Sequence, residues 1–203
     1  SVVDLVKGRF SIGNYDVTAA TTTTPDNYAN SFVVTNGTGQ LKLPVSTTNV
    51  VFPIGTNSAT GFSPITVSNS GTSDTYGFNV KTGVADVVAD IEYMVKKSWY
   101  VTEAVAGGGN LKVAPQWVAA DQGTNFNATD DYIQLYTTPS LVNEYPATVT
   151  GTSAVLTNAG DNFANTLPTS ATATYFAVGR HRAREIDVTG NSVSIASGDT
   201  TPS

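Results

Sequence analysis

The chain has 203 residues, no cysteine, a formal net charge of −6 and only 13% charged residues, about half the share of an ordinary globular domain. Thr (31), Ser (17), Asn (16) and Gly (18) dominate it. A coiled coil, a helical bundle and a helical membrane span are excluded, because helix formers are scarce and no apolar run approaches the roughly 20 residues a bilayer requires. A disulfide framework and a thiolate zinc site are excluded by count, and the acidic balance offers nothing to phosphate.

Taken in chain order, the sequence reads as short alternating runs between turn residues, the pattern of an all-β protein. Residues 1–29 are a strand–turn–strand element followed by a Thr-rich linker. Phe32 and Val34 run into Asn36-Gly37, a dipeptide suited to a tight hairpin turn, and Leu41, Leu43 and Val45 make the expected return strand. Val50-Val51-Phe52 stops at Pro53, which cannot donate to a ladder. Ile65/Val67 and Tyr76/Phe78/Val80 flank Asn69-Ser70-Gly71-Thr72 as a second expected hairpin. Val84–Lys97 is expected as a loop or short helix leading into a strand at Ser98–Thr102, with Gly107-Gly108-Gly109 as a hairpin tip. Leu111, Val113, Pro115 and Trp117 alternate strictly, and so do Tyr132, Gln134 and Tyr136 with Ile133 and Leu135. Thr137–Thr174 reads as loops and weak strands, and Tyr175–Val178 closes a main module spanning 30–179. Residues 180–203 are expected as a linker and a strand pair, Ile186/Val188 with Val193/Ile195 around Gly190-Asn191, either the first strands of a following domain or a donor-strand tail. The expected fold is an antiparallel β-sandwich, immunoglobulin- or jelly-roll-like, with long loops and little helix.

Several ordered segments resemble a β-sandwich module of large secreted or surface proteins of the Bacteroidetes type. They are Asn30–Leu41 with its Val-Val-Thr-Asn-Gly-Thr-Gly core, Val51-Phe52-Pro53-Ile54-Gly55-Thr56, Phe62–Val67, Trp99-Tyr100-Val101-Thr102-Glu103, Leu111–Trp117 with Ala119–Phe126, and Phe176-Ala177-Val178-Gly179. Ile186–Ile195 with Gly198–Ser203 resembles the opening strands of a choice-of-anchor D immunoglobulin-like domain. The resemblance implies a multidomain protein exported by type IX secretion to the cell surface or beyond, and it carries no catalytic motif onto this chain.

Candidate chemistry is sparse. The sole histidine, His181, lies among Arg180, Arg182 and Arg184, whose charge makes it a weak site, and no Gly-x-Ser-x-Gly elbow accompanies it. The arginines have Glu185 and Asp187 as local partners. Asp121, Asp130 and Asp131 are the one candidate for oxygen ligation of Ca²⁺, without the Asp-x-Asp-x-Asp-Gly loop spacing. As a glycosidase pair, Asp130 and Asp131 would point to opposite faces of a strand. Asp86, Asp90 and Glu92 have no legible acid–base partner. Trp99, Tyr100, Trp117, Tyr132 and Tyr136 serve either as a core or as a platform stacking on sugars. Gly107–Gly109 lacks the Lys-Ser/Thr of a phosphate loop. No catalytic, cofactor-binding or metal residue is therefore assigned, no cofactor is expected, and the chain is expected not to be an enzyme.

One tract stands out: Leu43–Ser73 holds no ionisable side chain. Uncharged strands are prone to edge pairing unless their edges are covered. The expected function is a structural or adhesive module of an exported cell-surface protein. The alternatives are a subunit of an extracellular filament or sheath assembled by strand exchange, with Ile186–Ile195 as donor, and a carbohydrate-binding module. Expected partners are neighbouring domains or copies through β-edges and surface polysaccharide, with no nucleic acid and no membrane insertion.

Overall fold

Alternation along the chain becomes nineteen strands in the computed structural model, which describes residues 1–23, 30–85, 91–138, 140–164, 167–169, 174–181, 186–188 and 191–193. They are β1 Val2–Asp4, β2 Phe10–Ser11, β3 Val17–Thr18, β4 Thr21–Thr23, β5 Val33–Val34, β6 Leu41–Val45, β7 Val50–Phe52, β8 Ile54–Gly55, β9 Ile65–Asn69 and β10 Asp74–Thr82, then β11 Lys97–Glu103, β12 Asn110–Pro115, β13 Asp131–Thr137, β14 Ser140–Thr150, β15 Ser153–Leu156, β16 Phe163–Ala164, β17 Thr174–Arg180, β18 Ile186–Val188 and β19 Asn191–Val193. Among the described residues the named helical elements are 3₁₀ turns at Ile91–Tyr93 and Ala119–Asp121. The protein is all-β and sandwich-like, with several open sheets.

The large sheet has the order β15-β14-β13-β17-β11-β10-β6-β3 and is antiparallel apart from the parallel β3–β6 pair. A four-stranded antiparallel sheet, β16-β12-β9-β7, faces it. A small parallel sheet, β2-β5-β8, and two strand pairs, β1-β4 and β18-β19, complete the list. Trp99, Phe176, Leu135, Phe78 and Leu41 from the large sheet share one buried core with Ile65, Val67, Leu111, Phe52 and Phe163 from the second layer. Ring contacts tie the layers: Phe52 to Phe78 at 4.7 Å and Phe163 to Phe176 at 5.0 Å. The indole N–H of Trp99 donates to Ser63 O at 2.9 Å, so the largest core side chain is buried with its one donor satisfied.

Three expected hairpins are instead connections between layers. β5 pairs with β2 and β8 rather than with β6. A Cβ on Gly37 would lie 2.3 Å from Asn14 Oδ1, and one on Gly39 would lie 2.3 Å from Tyr15 O. These glycines admit the N-terminal segment against residues 37–40; they do not make a tight turn there. β9 and β10 belong to different sheets, and Asn69 holds the corner between them. Its amide donates to Thr72 O and Tyr76 Oη, and its carbonyl oxygen accepts from the Gly71 and Asn110 N–H groups. The 107–109 glycines likewise carry the chain from β11 in one layer to β12 in the other, steadied by Gly107 N–H donating to Glu103 Oε1 at 2.7 Å. The stretch expected as loops and weak strands contains the eleven-residue β14, which pairs with β13 through its first half and β15 through its second. Residues 1–29 supply β3 to the large sheet and β2 to the small one, and β18 pairs with β19 alone among the described strands.

Candidate functional site: the outer face of the large sheet

The period of two along a strand sends Ile133 and Leu135 of β13 into the core and Tyr132, Gln134 and Tyr136 to the opposite face. There they meet the outward residues of the neighbouring strands. Tyr136 stacks on Tyr175 with centroids 5.1 Å apart and planes 9° apart, and Tyr175 packs on Tyr100 at 5.1 Å. Tyr136 Oη donates to Gln134 Oε1 at 3.0 Å. Gln134 Nε2 donates to Glu144 Oε2 at 3.1 Å and to Arg180 O at 2.8 Å. His181 Nε2 lies 3.2 Å from Glu144 Oε1, and its ring packs on Tyr132 at 4.8 Å. At the far end the Lys81 ammonium sits 4.3 Å above the Tyr100 ring. Val84 and Met94, with Ile91 and Leu141, pack over the tyrosines. Gly179 admits this cover, because a Cβ there would meet Met94 Cγ at 2.6 Å.

This row consumes the groups that could do chemistry. The one histidine is tied to Glu144, and Glu144 is shared with Gln134. No hydroxyl is bonded to His181 among the described residues. Burial, with Asp130 and Glu144 adding negative charge, raises the Tyr132 hydroxyl above its ordinary value, which keeps it neutral.

The carboxylates read from sequence do not converge. Asp121 is paired with the buried Lys97 at 3.2 Å, Asp130 is exposed, and Asp131 at the head of β13 points inward with 3% exposure. Among the described residues no three of His, Cys, Asp and Glu are grouped to hold a metal ion. Among the described residues neither Asp131 oxygen has a hydrogen-bond partner; burial, with Asp130 next to it, pushes its pKa up to about 7. Glu103, 1% exposed, accepts from the Gly107 and Leu167 N–H groups at 2.7 Å each. That makes it a brace for loops. Glu92 lies in the 3₁₀ turn. Asp86, Asp90, Arg182, Arg184 and Glu185 lie outside the described residues, as does 194–203.

The five candidate platform rings are not presented together. Trp99 and Trp117 are in the core, Tyr100 and Tyr136 are buried on the outer face, and only Tyr132 is half-exposed. The uncharged tract builds β7, β8, β9 and most of β6. Of these, β9 lies between β7 and β12, β8 ends its sheet but carries a bridge from Gly55 to Phe62, β6 meets β3 only at Leu41 and Lys42, and β7 is a sheet edge. The tract's strand residues include Leu43, Val45, Phe52, Ile54, Ile65 and Val67, all buried between the two layers, where an ion would be costly.

Sequence reasoning missed the His181–Glu144–Gln134 row. Half its signal was present in the Tyr132/Gln134/Tyr136 alternation; the other half, Glu144, sat in a stretch read as loops and weak strands. No protein-family model, no curated protein and no solved structure matches this chain. Fold and site together define a class: an all-β protein of open, packed sheets. No helix among the described residues is long and apolar enough to cross a membrane.

Proposed function

We propose that the chain is a non-catalytic structural and adhesive module of an exported bacterial cell-surface protein. The observation that carries this reading is the internal use of its reactive groups: His181, Glu144, Asp121 and Glu103 all hold elements of the sandwich in place. The resemblance of residues 30–179 to surface modules of the Bacteroidetes type supports it from the sequence side. Antibody labelling of intact cells tests it. Surface label that disappears on brief protease treatment is the expected outcome, and label found only after lysis overturns the reading.

A second reading, a filament subunit assembled by strand exchange, is favoured by one edge. Ladder parity turns Pro44 of β6 outward, where its missing N–H offers an incoming strand nothing. Val51 of β7 also faces outward, and among the described residues its carbonyl is met only by Thr22 Oγ1 at 3.5 Å. Polymers seen by negative-stain microscopy that vanish in Val51→Pro support this reading. Polymers unaffected by that change count against it.

A further inference from the structure

We infer that the hollow at the end of β10 is a binding site for one acidic sugar unit, its carboxylate taken by Lys81 and its hydroxyls by Asn36, Asn57 and Thr82. The hollow exists because two paired strands end at different places. β6 accompanies β10 only as far as the Leu41–Phe78 pair, whereas β10 runs on to Thr82. Gly83 N–H donates to Lys96 O, so ladder parity directs the backbone groups of Val80 and Thr82 away from β11. Those of Val80 are met by Thr35 Oγ1, at 3.0 Å from its N–H and 3.3 Å from its C=O. Those of Thr82 turn into a cavity of about 220 Å³.

The floor of this cavity, Thr35 and Thr56, is buried and already bonded internally, Thr56 through Ser58 Oγ at 3.2 Å. The rim carries the exposed Asn36, Asn57 and Thr82 and the half-buried Lys81. Among the described residues Lys81 is the only ionisable one lining the cavity, since Thr56 and Asn57 come from the charge-free tract. Its ammonium is held over the Tyr100 ring, and among the described residues it forms no ion pair. An anchored cation selects an anion, and its neighbours are two amides and a hydroxyl. The Asn36 Oδ1 accepts from Ser11 Oγ at 3.0 Å, which turns its NH₂ to the donor role, while Asn57 and Thr82 can donate and accept. That set matches vicinal hydroxyls beside a carboxylate. The volume lies below that of a drug-sized pocket and suits one ring. A phosphate would meet a single lysine and no arginine fork, and a peptide side chain would find no deep apolar pocket.

This site rests on the adhesive reading above, and titration of the isolated full chain separates the two, because cell labelling tests location whatever the pocket binds. Galacturonate oligomers are titrated into labelled protein and followed by backbone amide NMR, with galactose oligomers, acetate and an acidic peptide as comparisons. The expected result is shifts at Asn36, Asn57, Lys81 and Thr82, with galacturonate binding at least about tenfold tighter than galactose or acetate. Lys81→Met, which keeps the stem over Tyr100, should lose about tenfold in affinity with its melting temperature unchanged. Asn57→Ala, on an exposed loop, should lose several-fold. Equal binding of galactose, equal binding of acetate, shifts elsewhere, or an acidic peptide shifting these amides while galacturonate is silent each overturns the inference.

Discussion

The two faces of the large sheet are built from the same strands and solve burial differently. On the inner face Trp99, Phe176 and Leu135 meet a second sheet and are held by shape. On the outer face Tyr100, Tyr175, Tyr136 and Gln134 lie under Val84 and Met94 and are held by ring stacking and a hydrogen-bonded row ending at Glu144 and His181. All seven residues of β11 are buried, so burial alone does not distinguish the faces. What distinguishes them is the cost of error. An apolar face tolerates a change of shape by repacking, whereas a buried polar row that loses one partner strands the next.

Removing the centre of the inner face should produce the largest effect. Trp99→Ala leaves a cavity and an unpaired Ser63 carbonyl, and a loss of about 3–5 kcal/mol in denaturant unfolding is expected. Asp131, polar on the apolar side, probes the same contrast through pH. Its folded pKa of about 7 stands above the ordinary 3.8, so the folded state holds the proton more tightly than the unfolded chain. The stabilisation from this group is complete below about pH 4 and is lost as pH rises towards 7, by up to about 4 kcal/mol. Asp131→Asn should flatten that slope of stability against pH; an unchanged slope would show that Asp131 is not its source. On the outer face, Gln134→Ala removes one hydrogen bond each from Glu144 and Tyr136 and should cost about 1–3 kcal/mol by thermal unfolding. Gln134→Leu, similar in size, should cost as much if the hydrogen bonds matter and far less if packing alone does. The smallest effect belongs to the rim: Asn57→Ala, exposed and outside both faces, should stay within about 0.5 kcal/mol of the parent chain.

Much of the strand content was legible in the sequence. Leu111 to Pro115 alternates and is β12 with alternating burial, and the run at 132–136 is β13. Pairing was not legible. Asn36-Gly37, Asn69–Thr72 and the 107–109 glycines carry turn chemistry, and in each case the flanking strands enter different sheets. The true partners lie far apart in the chain, as with Leu41 and Phe78 or Leu135 and Phe176. The length of β14 was not legible in a stretch read as loops and weak strands, because Pro146 and its polar residues hid a strand whose residues are mostly half-buried. For the site, the sequence marked His181, Tyr132 and Tyr136 but assigned Glu144 and Gln134 no role, because a row across five strands has no local spacing to read.

The sequence by itself determined that this is an all-β chain without cysteine chemistry, with few ions and a long stretch free of charge. Composition and a period of two are local properties that survive in any arrangement of the strands. Only the tertiary structure decided that the apolar residues of the charge-free stretch enter the core between two layers, that the tyrosines of the outer face are covered, and that β10 outruns β6 to leave a lysine-capped hollow. Each of these depends on which distant strand lies alongside and where it stops. That is settled by packing two layers around one core, and no neighbouring residues along the chain encode it.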